Sequence, residues 1–316
     1  MPHANKLPEV EHFVPVKPTT EKLDYAEVVN LDFSTWDQGP KAIQALAKQL
    51  NFAMRTQGFF LIENHGFPSK RSTDRRAATR ASSWRNYWTI DQGVKDQIEQ
   101  YNWNRDLSLR EHPSTFQPFG PELPANFFIE NHNYETFDES WFRYMMYFHD
   151  YNPSDIEKTG GVWLKGHCDF GSVTMLFSQP MASLQPMNHF TGKWRWVPYK
   201  PGAIVINADE MMEWWAGGYY KATIHRVCQP PADQRTQNRC GLFYFVVPNE
   251  ETKVNTLLEE SPVLRAAGVE RRFEPGTEPT SAMYRGARIG AYGTSSLFQG
   301  KGSGVVIHRL RVDLSA

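Results

Sequence analysis

Two histidines and one aspartate carry the donor atoms of a possible metal site. His167 and Asp169 stand two positions apart, and alternate side chains of an extended strand share one face. His225, on a later predicted strand, would add a second imidazole. Two imidazoles and one carboxylate on one face of a metal leave positions open for substrates and O2, as in non-haem Fe(II) oxygenases. The alternative is that both histidines are core residues bonded to backbone. Their combination with an aspartate in alternating register favours the metal site.

A second group of functional side chains lies on the predicted strand that begins at Arg239. Arg239, Phe243 and Phe245 share one face of this strand. A guanidinium among aromatic rings is costly unless it meets an anion. A dicarboxylate cosubstrate would supply that anion through a two-pronged contact, whereas a structural salt bridge is the alternative. Tyr147 could offer a hydroxyl to the same anion or be a packed core residue. Arg235 is a rival for the anion, but its polar surroundings predict that it faces solvent.

The elements that must position these residues begin with a mixed region. A short strand is predicted over 28–33, an amphipathic helix over 41–57 and a buried strand over 59–62, from apolar residues at helical or strand spacing. Residues 69–100 are rich in Arg, Ala and Gln and predict a further helix. Residues 101–140 carry several Pro and Gly, and they predict long loops of the kind that can cover an active site.

From residue 141 the sequence changes to short apolar runs between turns, which is typical of an all-β sandwich or barrel. The predicted strands cover 142–149, 162–168, 172–177, 182–187, 194–197, 203–206, 220–228 and 239–247. This pattern predicts a mainly β fold with helical additions and a jelly-roll core, or double-stranded β-helix, over 141–249. Residues 1–140 would support that core. Residues 250–316 would form a partly helical cover of the same domain, ending in a short strand at 305–307.

Composition excludes several classes of protein. The chain of 316 residues is 40% hydrophobic and 22% charged, which is ordinary for a globular protein. A formal net charge of −1 argues against nucleic acid or an acidic membrane surface as the partner. No apolar run approaches the roughly 20 residues that cross a bilayer. The three cysteines form no C-x-x-C pair, which disfavours a disulfide framework or a cysteine-based zinc site. We therefore expect a cytoplasmic protein that acts on a small molecule, and the sequence predicts no oligomeric state.

Several motifs together resemble the 2-oxoglutarate/Fe(II)-dependent dioxygenases of the isopenicillin N synthase-like group. Two of them are Thr56-Gln57-Gly58-Phe59-Phe60, which runs into Asn64-His65-Gly66, and the stretch from Gly166 to Phe177. The others are Pro201-Gly202-Ala203-Ile204-Val205-Ile206-Asn207-Ala208-Asp209 and Lys221-Ala222-Thr223-Ile224-His225-Arg226-Val227. The resemblance covers about 25–66 and 140–250. Within the group, Trp163-Leu164-Lys165-Gly166-His167 and Gln229-Pro230-Pro231-Ala232-Asp233-Gln234-Arg235 look most like fungal biosynthetic oxygenases, including tropolone-forming enzymes.

This resemblance implies a complete set of roles. The two histidines and Asp169 would bind Fe(II), Arg239 would bind the distal carboxylate of 2-oxoglutarate, and Tyr147 would assist. Lys165, Phe243 and Phe245 would line the substrate pocket, although Lys165 could equally sit at a strand end in water. The implied reaction converts 2-oxoglutarate and O2 to succinate and CO2 while it oxidises an unactivated C–H bond. The substrate would be a secondary metabolite of aromatic or polyketide-like kind, and the outcome hydroxylation or a radical rearrangement such as ring expansion.

Two positions depart from the family pattern and keep alternatives open. Gly241 stands where the family has a serine two residues after the arginine, and Met145 where it has an asparagine two residues before the tyrosine. Both bear on cosubstrate binding, so an Fe(II) oxidase without 2-oxoglutarate is one alternative. The other is a metal-binding jelly-roll protein or a zinc hydrolase with the same three ligands. A hydrolase would want a general base such as Asp209 or Glu210.

Overall fold

The structure is a computed structural model that describes residues 14–66, 79–83, 85–104, 127–133, 136, 138–292, 304–307 and 310–313. The strands are β1 (Val29–Asp32), β2 (Phe59–Glu63), β3 (Thr79–Ser83), β4 (Thr89–Asp91), β5 (Val94–Lys95), β6 (Ile98–Asn104), β7 (Trp141–Tyr147), β8 (Val162–His167), β9 (Val173–Phe177), β10 (Leu184–Pro186), β11 (Ile204–Ala208), β12 (His225–Cys228), β13 (Arg239–Val246), β14 (Gly304–Ile307) and β15 (Leu310–Asp313). The α-helices are α1 (Pro40–Thr56), α2 (Phe127–Asn131), α3 (Pro153–Thr159), α4 (Glu210–Trp215), α5 (Pro262–Ala266) and α6 (Ser281–Tyr292). Among these residues, no helix is both long enough and apolar enough to cross a bilayer.

Two facing sheets form the core. The larger sheet has eight strands in the order β1-β2-β11-β9-β13-β7-β6-β3, and the smaller has three in the order β10-β12-β8. The sheets pack face to face, because Met145 and Tyr147 of the large sheet share one buried cluster with Trp163 and Val227 of the small sheet. This sandwich confirms the predicted mainly β fold with helical additions.

The large sheet is covered on its other face by helices. Strand β11 is buried along its whole length. Ile204 and Ile206 pack into a cluster with Leu46 of α1 and with residues of α4, α5 and α6, whereas Val205 packs on the opposite face with Leu61. Both faces of β11 are buried. Its sequence is therefore mostly a run of apolar residues and does not alternate between apolar and polar ones.

A glycine links α1 to the sheet. Gly58 adopts a φ of +60°, and a Cβ atom there would lie 1.8 Å from the Lys221 carbonyl oxygen. Only glycine meets both conditions, the positive φ and the close backbone approach. The predicted helix over 41–57 is confirmed as α1, and the strand predicted over 59–62 as β2.

Three predictions about elements are wrong in the described residues. The helix predicted over 69–100 is absent from its described part, where β3 to β6 are strands and β6 pairs with β7 along Ile98–Asn104; residues 69–78 lie outside the described residues. The strand predicted over 194–197 is reduced to isolated bridges from Trp194 to Met187 and from Trp196 to Tyr25. Its neighbour β10 ends in Pro186, which has no N–H to continue a ladder. Of the loops predicted over 101–140, residues 101–104 belong instead to β6 and 127–131 to α2, and most of the others lie outside the described residues.

The C-terminal cover is anchored to α4. Both guanidinium nitrogens Nε and Nη2 of Arg288 donate to Glu210, at 2.7 and 2.6 Å, and the Tyr284 hydroxyl donates to the same carboxylate at 2.9 Å. Tyr284 is 1% exposed. The predicted helical content of this segment is confirmed by α5 and α6. The boundaries at 140 and 249 stay predictions.

Candidate active site

His167, Asp169 and His225 converge on one point between the sheets. One possible ligand atom from each lies within 4.8 Å of the other two. Nε2 of His167 is 3.6 Å from Asp169 Oδ1, and Nε2 of His225 is 3.7 Å from Asp169 Oδ2. In the part of the chain that the structure describes, this is the group of His, Cys, Asp and Glu side chains that could hold a metal ion. Two imidazole nitrogens and one carboxylate suit Fe(II).

Strand pairing places the two histidines, and a loop places the aspartate. His167 ends β8 and His225 begins β12, directly opposite in register, so their ring centroids are 4.5 Å apart. Asp169 lies beyond the end of β8, so its direction does not come from strand alternation as predicted. Instead the Glu210 N–H at the start of α4 donates to the Asp169 carbonyl at 2.9 Å. The end of one element and the start of another therefore fix the carboxylate.

Each histidine ring is oriented by its own chain. Nδ1 of His167 donates to the Lys165 carbonyl at 2.9 Å, and Nδ1 of His225 donates to the Thr223 carbonyl at 3.0 Å. With Nδ1 as the donor, Nε2 is left as the acceptor that a metal needs. Burial and the neighbouring His225 hold the pKa of His167 well below its usual range. His167 is therefore neutral at pH 7 and ready to bind a cation.

Asn207 of β11 joins Asp169 to a second buried acid. Its Nδ2 donates to Asp169 Oδ2 at 3.0 Å and to Asp209 Oδ1 at 2.8 Å. The Thr174 hydroxyl donates to the other Asp209 oxygen at 3.0 Å. Burial, with repulsion from Asp169, raises the pKa of Asp209 well above its usual range. The amide thus occupies one oxygen of Asp169 and turns the carboxylate toward the two histidines.

We expect Asn207→Ala to lower the affinity for a divalent metal by about 10- to 100-fold, the usual effect of losing a group that orients a ligand. Titration with Co(II), followed by its visible d–d absorption, would measure this, and circular dichroism would check the fold. Asn188→Ala is the matched control, because Asn188 accepts hydrogen bonds within a surface turn. Unchanged Co(II) affinity in Asn207→Ala would refute the role given to this amide.

The two acids considered as general bases for a hydrolase are both engaged elsewhere. Asp209 is 0% exposed and hydrogen-bonded to Asn207 and Thr174. Glu210 accepts from Arg288 and Tyr284. Neither carboxylate is placed to take a proton from a metal-bound water, so the hydrolase alternative loses its support.

Arg239 is a buried cation with unsatisfied donors. It is 1% exposed, stands opposite Tyr147 in the β7–β13 register, and has its guanidinium carbon 4.8 Å from the Tyr147 ring centroid. Its Nε and Nη1 have no hydrogen-bond partner among the described residues. Gln179, with its amide oriented to satisfy both contacts, accepts from Nη2 at 3.3 Å and donates to the Cys240 carbonyl at 2.7 Å. Burial lowers the pKa of Arg239. Such a group fits a carboxylate that brings two acceptor oxygens.

Tyr147 is buried, and its contact with an anion stays a prediction. Tyr147 is 1% exposed, and its hydroxyl donates to the Met145 thioether at 3.6 Å. Met145 stands where the family has an asparagine, so it offers Tyr147 only a weak acceptor in place of a polar partner. Arg235, the rival arginine, is exposed.

The three residues proposed to contact the substrate, Phe243, Phe245 and Lys165, lie in different surroundings. The rings of Phe243 and Phe245 stack with centroids 5.9 Å apart on the strand that carries Arg239. Lys165 is 2% exposed, its pKa is lowered by burial, and the carboxylate of Asp91 favours its charged form. It is therefore not a strand-end lysine in water. Its contact with a substrate stays a prediction.

Gly241 is explained by Phe243. A Cβ atom at Gly241 would lie 2.5 Å from Phe243 Cε2 and 3.5 Å from Arg239 Nη1. The aromatic ring therefore occupies the space that a serine would need. Gly241, where the family has a serine, therefore makes room for the Phe243 ring beside Arg239.

We expect Gly241→Ser to destabilise the protein by about 1–3 kcal/mol, because it overpacks a filled site. Differential scanning calorimetry would show a lower Tm. The double variant Gly241→Ser with Phe243→Leu should recover most of the loss, because the two changes share one space. Equal destabilisation in the single and double variants would contradict this account.

Part of the chain matches a known protein family. Residues 136–248 match the family described as the 2OG-Fe(II) oxygenase superfamily. A 2-oxoglutarate-dependent dioxygenase of Didymella fabae is 36% identical over 100 residues, covering 32% of this chain and 29% of the relative. The 2-oxoglutarate-dependent dioxygenase citB of Monascus ruber is 30% identical over 103 residues, covering 33% of this chain and 30% of the relative. The chain thus spans less than a third of the length of either relative.

A solved structure extends the likeness to most of the chain. A full-length protein of Neurospora crassa, crystallised in complex with alpha-KG, superimposes with a TM-score of 0.65 at 19% identity, over 86% of this chain and 100% of that one. At this identity the likeness concerns the fold. It confirms the double-stranded β-helix core.

Proposed function

We propose that this chain is an Fe(II)- and 2-oxoglutarate-dependent oxygenase that oxidises an unactivated C–H bond of a small molecule, because residues 136–248 match the family described as the 2OG-Fe(II) oxygenase superfamily. One observation carries the proposal. The inner face of the sandwich holds both a cluster of two histidines and one aspartate and a buried arginine with two unpaired donors. The first fits Fe(II), and the second fits the far carboxylate of a dicarboxylate.

The geometry supports the following roles. His167, Asp169 and His225 would hold Fe(II), while Arg239 would bind the distal carboxylate of 2-oxoglutarate with Tyr147 beside it. Bound Fe(II) supplies the oxidising chemistry, in which 2-oxoglutarate and O2 become succinate and CO2 as the substrate is oxidised. The chain itself orients these groups through Asn207 and the backbone carbonyls, and its aromatic rings exclude water from the face where the substrate binds.

For the substrate we propose a secondary metabolite of aromatic or polyketide-like kind, in contact with Phe243, Phe245 and Lys165. The names of the two fungal relatives are consistent with the cosubstrate. A second structure of the Neurospora crassa protein is a complex with alpha-KG and thymine, a small planar molecule. Hydroxylation and radical rearrangement such as ring expansion are both compatible with this site. A reducing, cytoplasmic setting agrees with three free cysteines.

A titration without substrate tests the proposal. Anaerobic protein would receive Fe(II) and then 2-oxoglutarate, and we expect the weak visible charge-transfer band of a 2-oxo acid chelated to Fe(II). Absence of this band while Fe(II) is bound would overturn the cosubstrate assignment. The Fe(II) oxidase alternative, which Gly241 and Met145 keep open, would then be preferred. Succinate released on admission of O2 would exclude that alternative.

A further inference from the structure

We propose that Gln234 is a positioning residue for the cosubstrate. It holds the loop of residues 178–183, and through Gln179 of that loop it fixes the guanidinium of Arg239. The inference deepens the proposed function and rests on it, since it takes Arg239 to bind the distal carboxylate of 2-oxoglutarate. The effect of Gln234 would therefore be on the affinity for 2-oxoglutarate and not on the affinity for the metal.

The loop of residues 178–183 connects β9 to β10 and contacts both residues proposed for the anion. The side-chain amide of Gln179 accepts a hydrogen bond from Arg239 Nη2 at 3.3 Å. Met181 packs in the same buried cluster as Tyr147. The position of this loop therefore determines how the arginine and the tyrosine are held.

Gln179 restricts the guanidinium of Arg239 before any anion arrives. It engages Nη2, while Nε and Nη1 have no hydrogen-bond partner among the described residues. A guanidinium held at one nitrogen has less freedom to rotate, and its remaining donors are left for a carboxylate. Ordering a long side chain at the moment of binding costs affinity. The contact with Gln179 therefore favours binding, because part of that ordering has already taken place.

Gln234 holds the loop through hydrogen bonds to three chain positions. It is 2% exposed. Its Oε1 accepts from the Ala182 N–H at 2.9 Å, and its Nε2 donates to the carbonyls of Pro180 and Lys17 at 3.0 and 2.7 Å. The oxygen and the nitrogen of this amide are thus both engaged, as a buried polar group requires. Pro180 follows Gln179 directly, so the loss of these bonds would free the backbone that carries Gln179.

A segment that precedes β1 holds Gln234 from its other side. The Lys17 carbonyl is one of the acceptors of its amide. Asp233, the neighbour of Gln234, accepts from the Thr19 hydroxyl at 2.8 Å and from the Thr20 N–H at 2.9 Å. One buried amide therefore joins this segment to the loop that contacts the cosubstrate arginine.

A comparison of two 2-oxo acids tests the proposal. 2-Oxoglutarate and 2-oxobutyrate share the group that chelates Fe(II), but only 2-oxoglutarate carries the distal carboxylate that Arg239 would bind. Each acid is titrated into the anaerobic full chain loaded with Fe(II), and the charge-transfer band gives its dissociation constant. We expect Gln234→Ala to raise the constant for 2-oxoglutarate by about tenfold or more, the usual effect of losing a hydrogen bond to a charged group. The constant for 2-oxobutyrate should stay within about twofold of the wild-type value.

A double-variant cycle shows whether Gln234 acts through Gln179. Gln179→Ala should weaken 2-oxoglutarate binding by a similar factor, because it removes the contact with Arg239 itself. Adding Gln234→Ala to Gln179→Ala should then change the constant by less than about twofold, since the two variants remove one and the same effect. Losses that multiply in the double variant would overturn the proposal.

Gln185→Ala is the matched control. Gln185 is also a buried glutamine, 7% exposed, and its Oε1 accepts from Arg226 Nε at 2.9 Å in the small sheet. Gln185→Ala should leave both dissociation constants within about twofold of the wild-type values. Gln234→Glu keeps an oxygen for the Ala182 N–H and loses the donors to Pro180 and Lys17. This variant should show a smaller loss, still selective for 2-oxoglutarate, and it serves if Gln234→Ala does not fold.

Wild-type affinity for 2-oxoglutarate in the Gln234 variants that fold would overturn the proposal. Equal losses for the two acids, or a selective loss in Gln185→Ala, would also overturn it, because either result would mean a general change in the fold. Failure of the proposed function is seen separately, before any variant is made. The wild-type protein would then show no charge-transfer band, or it would bind 2-oxobutyrate as tightly as 2-oxoglutarate.

Discussion

Replacing His225 with alanine is expected to remove tight metal binding, and with it the charge-transfer band and turnover. Only Asp169 and His167 would remain as side-chain ligands, and two donors do not enclose one face of the ion. We expect the dissociation constant for Fe(II) or Co(II) to rise by on the order of 1,000-fold, which corresponds to about 4 kcal/mol. Anaerobic titration of both metals would measure it.

His65→Ala is the control for this experiment. His65 is another histidine of the large-sheet region, and its Nε2 contacts the Gly202 carbonyl at 2.9 Å, away from the cluster. This variant should bind metal as the wild type does. If His225→Ala retained wild-type affinity, the metal site would have to lie elsewhere in the chain.

Arg239→Met is expected to change binding and stability in opposite directions. Loss of the guanidinium should weaken 2-oxoglutarate binding by about 100-fold or more, because removing one partner of a buried charge pair costs about 2–5 kcal/mol. In the absence of ligands the same change should stabilise the protein by about 1–4 kcal/mol, since an unpaired buried charge gives way to an apolar side chain of similar length. The charge-transfer titration and a calorimetric Tm would report the two effects.

Arg235→Met separates this effect from a general loss of charge. Arg235 lies four residues earlier and is exposed, so both the affinity and the Tm should stay close to the wild-type values. A lower Tm in Arg239→Met without ligands would mean that a structural anion already satisfies this arginine. Unchanged 2-oxoglutarate affinity would remove it from the cosubstrate site.

The elements that local pattern determines were predictable from the sequence. Helix α1 and strands β2, β9 and β13 follow from apolar spacing and turn residues, because each buries a face that its own sequence defines. The cluster of His167, Asp169 and His225 was also predictable as a set, because few chemical tasks need those three side chains in that order.

What was not predictable depends on contacts between distant segments. Residues 79–83 and 98–100 fall in the segment predicted as helix but become strands, because β6 pairs with β7 and β3 pairs in turn with β6. Tertiary pairing overrides such propensities. The contacts of Asn207 with Asp169 and of Gln179 with Arg239 had no signal in the sequence. An amide becomes part of a site only when another segment is folded against it.

The link between α6 and Glu210 has a consequence for how the protein is made. The backbone N–H of Glu210 donates to the Asp169 carbonyl. The carboxylate of Glu210 accepts hydrogen bonds from Arg288 and Tyr284 of α6. The ribosome releases residues in order from the N-terminus, so both histidines and the aspartate emerge well before the helix that secures their loop. A metal ion bound at this cluster would therefore find its complete site only after synthesis of α6. Nascent chains that end before residue 281 would carry all three proposed ligands and still lack the contacts from α6 to Glu210.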